Sequence, residues 1–242
     1  MKFFDMHVHS IFSEGLTPLE DLAQTAKDFG YSGFCFTTYF QGFEKIKEIY
    51  EEIERVKQRV KIEILLGIEA KSVKELKILA DKRKKFDVLL VKGGNLNLNR
   101  IACETPEVDI LTHPELNRED SGLNHVLVKS AAKNDVSIEI NFREVMITSK
   151  RTRTKIISNI YNNVKLAKKY GANLIICSGA ISSYELKDPY VLTSFGTLFD
   201  LSLEESKNCL TKNPESIIQK IKQRKSENWV MPGVEIIKRF KK

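Results

Sequence analysis

Phe3-Phe4-Asp5-Met6-His7-Val8-His9 is a β-rich apolar run that ends in a His-x-His pair. Side chains alternate along an extended strand with period two, so His7 and His9 face the same side and can grip one metal ion. Such a grip needs partners from elsewhere in the chain. Two later runs offer them: Glu69 closes Leu66-Gly67-Ile68-Glu69, and His113 lies in Leu111-Thr112-His113-Pro114. Two others do not: Phe36-Thr37-Thr38-Tyr39 and Ile176-Cys177-Ser178-Gly179-Ala180 carry neither histidine nor carboxylate. The set reads as a metal site half dismantled.

Outward from that first run, short β-rich apolar stretches alternate with amphipathic helical ones, the pattern that builds a parallel sheet with helices outside. Strands are predicted at 2–7, 31–37, 61–68, 86–91, 109–112, 136–140 and 173–177, with a further one near 190–192. Thr17-Pro18-Leu19-Glu20 predicts a helix start with a capping hydroxyl and a proline at the first helical position, and Gly30 predicts its end. Ser72-Val73-Lys74-Glu75 is a capping-box pattern, and the run Lys82-Arg83-Lys84-Lys85 suits the dipole at that helix's C-terminus. Over 44–59, Ile46, Ile49, Ile53, Val56 and Val60 recur every three or four residues as a buried stripe. Ser202-Leu203-Glu204-Glu205 and Pro214-Glu215-Ser216 start two closing helices.

Seven or eight such units in 242 residues, 42% of them hydrophobic, predict one TIM-like (β/α) barrel domain over 1–242, with a short basic tail at 226–242. An open doubly wound sheet is the competitor, but it favours a Gly-x-Gly-x-x-Gly turn after an early strand. Here Lys92-Gly93-Gly94-Asn95 holds the only glycine pair at a strand end, a weak phosphate signal against a tight turn. Cys35, Cys103, Cys177 and Cys209 lie far apart and read as small buried hydrophobes in a reducing compartment. With no signal segment and no long apolar span, a soluble cytoplasmic protein is expected, with no membrane partner.

The groups just past the strands are His7 and His9, Tyr39, Glu69, Lys92, His113, Asn141 with Arg143, and Ser178 with Ser182. Metal-dependent phosphoester hydrolysis needs a closed ligand shell and commonly two ions about 4 Å apart. His7, His9, Glu69 and His113 suffice for one loosely held ion, and Lys92 and Arg143 bring charge that repels a cation. No catalytic residue and no working metal centre are therefore assigned, and those four residues stand as remnants of an eroded site.

Lys and Arg number 39 against 32 acidic residues, a net charge of +7 with pI near 9.1. This suits a polyanion partner, or equally the Lys/Glu-rich surface of a heat-adapted or AT-rich organism. Location separates the two. Along 44–59 opposite charges can pair on the helix, whereas Lys150, Arg151, Arg153 and Lys155 have no acid among them. That run is the candidate polyanion-binding surface, extended by Lys92, Arg100 and Arg143; the tail 238–242 is a further basic segment. Trp229, the only tryptophan, sits beside Val230-Met231-Pro232 as an apolar anchor, onto the barrel itself or onto a partner.

These residues carry a resemblance. The His-x-His pair, Glu69 and His113 are similar to metal positions of the polymerase and histidinol phosphatase (PHP) superfamily. Its Asp-His after the second strand is replaced here by Thr38-Tyr39, and its late Asp-x-His by Ser178-Gly179-Ala180. With Ile138-Glu139-Ile140-Asn141-Phe142-Arg143 and the whole-chain layout, the sequence resembles the family of archaeal ribonuclease P protein component 3. That resemblance implies a PHP-like barrel in a ribonucleoprotein endonuclease that removes the 5′ leader from precursor tRNA. It implies as partners the ribonuclease P RNA, protein component 2 and other protein subunits. It also implies Mg²⁺ used by the catalytic RNA and no cofactor for this chain, which alone is not catalytic. The rivals are a metal-dependent PHP-type phosphoesterase and an RNA-binding scaffold outside this enzyme.

Overall fold

The structure, a computed structural model, describes residues 1–231 and 234–236. Strands β1 (Phe4–Val8), β2 (Gly33–Tyr39), β3 (Glu63–Ala70), β4 (Val88–Lys92), β5 (Ile110–Thr112), β6 (Ser137–Asn141) and β7 (Leu174–Cys177) pair in parallel in chain order. A parallel bridge between Val8 and Ala180 joins the last strand to the first. The His9 N–H donates to the Ala180 carbonyl at 2.8 Å and the Gly179 N–H to that of His7 at 3.1 Å, closing a seven-stranded barrel. The seven predicted strands are therefore all present.

Around them run α1 (Leu19–Asp28), α2 (Phe43–Val60), α3 (Val73–Asp81), α4 (Leu96–Glu104), α5 (His125–Asn134), α6 (Phe142–Ile147), α7 (Lys150–Tyr170), α8 (Pro189–Gly196), α9 (Leu203–Asn208) and α10 (Lys212–Lys225). A hairpin of β8 (Trp229–Met231) and β9 (Val234–Glu235) follows. In α2 the five predicted stripe residues are all buried, and its surface charges pair as expected, Lys45 with Glu48 at 2.6 Å and Arg55 with Glu52. Most of the core lies between the strands and the outer helices. A second cluster fills the barrel, with Phe4, Met6, Cys35, Leu65 and Leu90 pointing inward and Ile217 and Ile221 of α10 plugging the lower end. All four cysteines are buried and free, and burial pushes their thiols upward.

Several local expectations are corrected. Residues 190–192 are helix, not strand: Asp188 caps α8 by accepting the Tyr190 N–H, and Pro189 occupies the first turn. At α1 the Thr17 hydroxyl does not cap, because it accepts the Ser183 N–H at 3.1 Å instead. Only half of the capping box forms at α3: Ser72 accepts the Glu75 N–H, but the Glu75 carboxylate turns to the Lys71 N–H. The cationic run after α3 does not serve its dipole either, since α3 ends before it. Arg83 is buried instead and pairs with Asp109. Arg224 from α10 reaches the same carboxylate at 2.5 Å, Asp109 also accepts the Leu89 N–H, and Lys225 pairs with Asp87. Burial alone would raise the Asp109 carboxyl, but the two guanidiniums hold it down at about 2. This network fastens the plug helix to the barrel floor.

The barrel mouth and the basic face

Strict alternation along β1 would turn the histidines away from the barrel, because Phe4 and Met6 point into it. The register prevents this. Phe4 pairs with Gly33 and Asp5 with Phe34, but Val8 pairs with Phe36, a slip of one residue. Such a bulge re-aims the side chains that follow. Val8 accordingly packs in the outer core, and the two imidazoles meet at the mouth with Nε2 atoms 3.0 Å apart.

His7 Nδ1 lies 2.7 Å from Glu139 of β6, both side chains essentially without exposure. The other Glu139 oxygen accepts the His113 N–H at 3.2 Å, and the Asn141 amide donates to the first at 3.2 Å. Burial would lower the His7 imidazole, but the Glu139 carboxylate outweighs it and carries His7 up to about 9. Burial likewise would raise Glu139, but His7 and His113 draw it down to about 2. His9, beside a charged His7, is pressed down to about 2 by burial and then by that charge. The pair is thus an imidazolium–carboxylate, with His9 neutral and close to Ser13 Oγ at 3.1 Å.

Glu139 is the functional side chain that strand-end reasoning missed. Its signal was available, because it precedes Asn141 by two and alternation sends both to the same side. Glu69 instead accepts the Thr112 hydroxyl at 2.5 Å. At the second strand, Tyr39 donates to Glu14 and accepts from Lys92 at 3.2 Å, while the Lys71 ammonium sits 3.0 Å over its ring. Burial and then Glu14 push the Tyr39 phenol up. Asp5 accepts the Ser178 N–H at 3.2 Å, tying β7 to β1, and burial pushes it up to about 6. Gly179 stands at φ +63, where a Cβ would lie 2.5 Å from the Asn141 amide.

For a metal ion, His7, His113 and Glu139 bring ligand atoms within 4.8 Å of one another, and the buried His113 Nδ1 has no hydrogen-bond partner. That donor set fits one ion, which His7, His113 and Glu139 would hold. It does not fit a polynuclear centre: among the described residues no second group of three such ligands gathers, and the Lys92 ammonium occupies the Tyr39 side of the mouth.

The basic candidates divide. Lys150 and Arg151 open α7, whose first turn holds no acid. Arg151 and Lys155 line a cleft of about 440 Å³ together with Arg118 and with Glu115, Glu119 and Glu144; Lys155 is engaged by Glu119 and Arg118 by Asp120 at 2.6 Å. Arg153 is turned back onto the carbonyls of Thr148 at 2.7 Å and Met146 at 3.3 Å. Arg143 pairs with Glu185 at 2.8 Å and Arg100 with Glu104 at 2.9 Å, so both are partly committed. The glycine pair serves a tight turn: a Cβ on Gly93 would strike the Thr112 carbonyl, and Arg118 donates to the Gly94 carbonyl. Trp229 lies under Lys84, whose ammonium is 4.8 Å from its ring, and the tail 238–242 lies outside the described residues.

A closed parallel barrel whose mouth gathers His7, His113 and Glu139 defines the class: a TIM-like barrel of the PHP type. The chain belongs to the RNase P subunit p30 family, whose model matches residues 2–226. It is 33% identical over 239 residues to ribonuclease P protein component 3 of Methanosarcina barkeri, covering 98% of this chain and 96% of that one. With the same component of Methanocaldococcus jannaschii it shares 34% over 226 residues, 92% and 95% of the two chains. Among solved structures it is similar to a chain of an archaeal ribonuclease P with mature tRNA, seen by cryo-electron microscopy. There the TM-score is 0.82 at 32% identity, over 98% of this chain and all of that one (100%). A Xaa-Pro dipeptidase matches at TM-score 0.54 and 11% identity, a likeness of fold alone.

Proposed function

We propose that this chain is a protein subunit of ribonuclease P, the ribonucleoprotein endonuclease that removes the 5′ leader from precursor tRNA. The observation that carries this reading is the whole-length match to a chain of an archaeal ribonuclease P particle. In that role the chain works with the ribonuclease P RNA, protein component 2 and other protein subunits. It supports an RNA whose bound Mg²⁺ does the cutting, and needs no cofactor of its own.

Its part is electrostatic and architectural. Lys150 and Arg151, with Lys155 at the adjoining cleft, neutralise RNA phosphates; Lys92, Arg100, Arg118, Arg143 and Arg153 extend the same positive field from their paired positions. The barrel mouth lends no chemistry to the cleavage. His7, held as a cation by Glu139, occupies the centre with an internal charge and cements β1 to β6. No helix among the described residues is long and apolar enough to cross a membrane, and the cytoplasm, where precursor tRNA is processed, is the proposed location. A phosphoesterase reading predicts instead turnover of small phosphoesters by the isolated chain loaded with zinc or manganese.

Reconstitution tests the proposal. The RNA and its proteins are mixed at low Mg²⁺ with and without this chain, and leader removal is measured. Cleavage should drop sharply on omission; a rate indifferent to the chain would refute the reading.

A further inference from the structure

We propose that the face formed by α8, the turn that follows it and the start of α9 docks another protein subunit of the same ribonucleoprotein, one whose contact surface is apolar with a basic rim. The proposal rests on the function proposed above and adds a place for protein contact distinct from the basic face.

Helix α8 reads Pro-Tyr-Val-Leu-Thr-Ser-Phe-Gly and is the only α-helix among the described residues without a charged side chain. Its inner face is accounted for, since Leu192, Phe195 and Phe199 are buried in the core. The outer face is left largely to solvent, although the Tyr190 ring meets that of Phe3 edge-on at 5.5 Å. Tyr190 is 65% exposed, Val191 46%, and Leu198, one helical face further along, 62%; Leu203 at the start of α9 is 63% exposed. Elsewhere α3, α4, α5 and α7 each leave a single large apolar side chain exposed; α6 leaves two, Met146 and Ile147, and the terminal hairpin segment leaves Val230, Val234 and Ile236, but these lie beside basic residues. Four in one run of the chain form a patch of the kind that marks an interaction surface.

Charge decides which partner. The protein carries 39 Lys and Arg in 242 residues, yet the stretch between Lys187 and Lys207 contains none, while Asp188, Asp200, Glu204 and Glu205 all fall in it. Lys168 of α7 reaches it, but its ammonium is spent on Glu205 at 3.2 Å and on the Asp200 carbonyl at 2.7 Å. An apolar, acid-rimmed surface repels phosphates and cannot serve the RNA. It complements a protein that is itself basic at the rim, as a subunit that also binds RNA would be.

The test uses the full chain carrying Leu198→Ser with Leu203→Ser, both exposed, so the melting temperature should stay that of the wild type. Each of the other ribonuclease P proteins is titrated singly into wild type and variant, and RNA binding by the chain alone is measured in parallel. Affinity for one protein should fall at least about tenfold, the cost of truncating central apolar contacts, with RNA affinity unchanged. Glu204→Lys, made separately, should weaken the same association, less so at high salt. Unchanged affinity for every protein would overturn the proposal, as would a loss of RNA binding instead, or a dimer of this chain that the double variant converts to monomer. Should leader cleavage prove independent of the chain, the functional reading itself fails; cleavage that needs the chain but ignores both variants sinks the docking face alone.

Discussion

Replacing Glu139 with Gln keeps the shape of the side chain and removes the charge that holds His7 protonated. The magnitude follows from the pair itself. Raising the His7 imidazole from 6.5 to about 9 inside the barrel corresponds to about 3 kcal/mol of stabilisation. That agrees with the roughly 3–5 kcal/mol lost when one partner of a buried ion pair is deleted. In a domain of this size the loss should lower the melting temperature by about 6–12 °C. The pH dependence has a definite sign. A histidine whose folded value lies above 6.5 contributes in full below 6.5, and the contribution disappears as pH climbs through about 9. Glu139, lowered from 4.5 to about 2, contributes in full above 4.5 and loses it as pH falls through about 2. The gap between wild type and Glu139→Gln should therefore be widest between 4.5 and 6.5 and close as pH passes about 9. Urea unfolding at pH 6 and again above the His7 value measures both gaps. A difference below about 1 kcal/mol at pH 6, or one that persists undiminished at the higher pH, would refute an internal ion pair at the mouth.

The remaining expectations concern the other charged and strained positions. Arg151→Ala with Arg153→Ala should weaken RNA association and flatten its salt dependence by roughly one unit of slope for every phosphate left without its cation, with Arg151 carrying most of the effect because Arg153 is held by backbone carbonyls; filter binding across a salt series reads it. Asp109→Asn leaves the buried Arg83 and Arg224 without their shared carboxylate and should cost about 3–5 kcal/mol in urea denaturation, more than any of the surface ion pairs. Gly179→Ala meets both an unfavourable φ of +63 and the Asn141 amide, and should destabilise the closure between β7 and β1, seen as faster exchange of the amides at His9 and at position 179.

The seven strands were legible because each is a short apolar run fenced by polar or helical sequence, and a buried parallel strand needs no alternation to be seen. Tyr190-Val191-Leu192 misled because a short apolar run with two β-favouring residues outweighed Asp188-Pro189, a cap and first-turn pair that the tertiary structure obeys. The His-x-His pair disclosed the mouth, but no local pattern marked the slip between Asp5 and Val8 that aims it there, because register is set by the neighbouring strand. Glu139 was passed over because it lies in mid-strand, although its place two residues before Asn141 already put both side chains on one side. The floor network was likewise beyond reading, since Arg224 and Asp109 meet across 115 residues of chain and Arg83 sits in a run that resembles an ordinary helix end.

The central claim is that this subunit supports an RNA catalyst and supplies none of the cutting groups. His113→Asn tests it most directly: the position has φ +46, which asparagine tolerates, and the change removes the imidazole whose Nδ1 makes no hydrogen bond, one of the three groups that could hold a metal. In reconstituted particles confirmed to contain the variant, the single-turnover rate of leader removal should match that of wild type. A loss of about a hundredfold or more in the cleavage step, with assembly intact, would place the chemistry in this barrel and contradict the account.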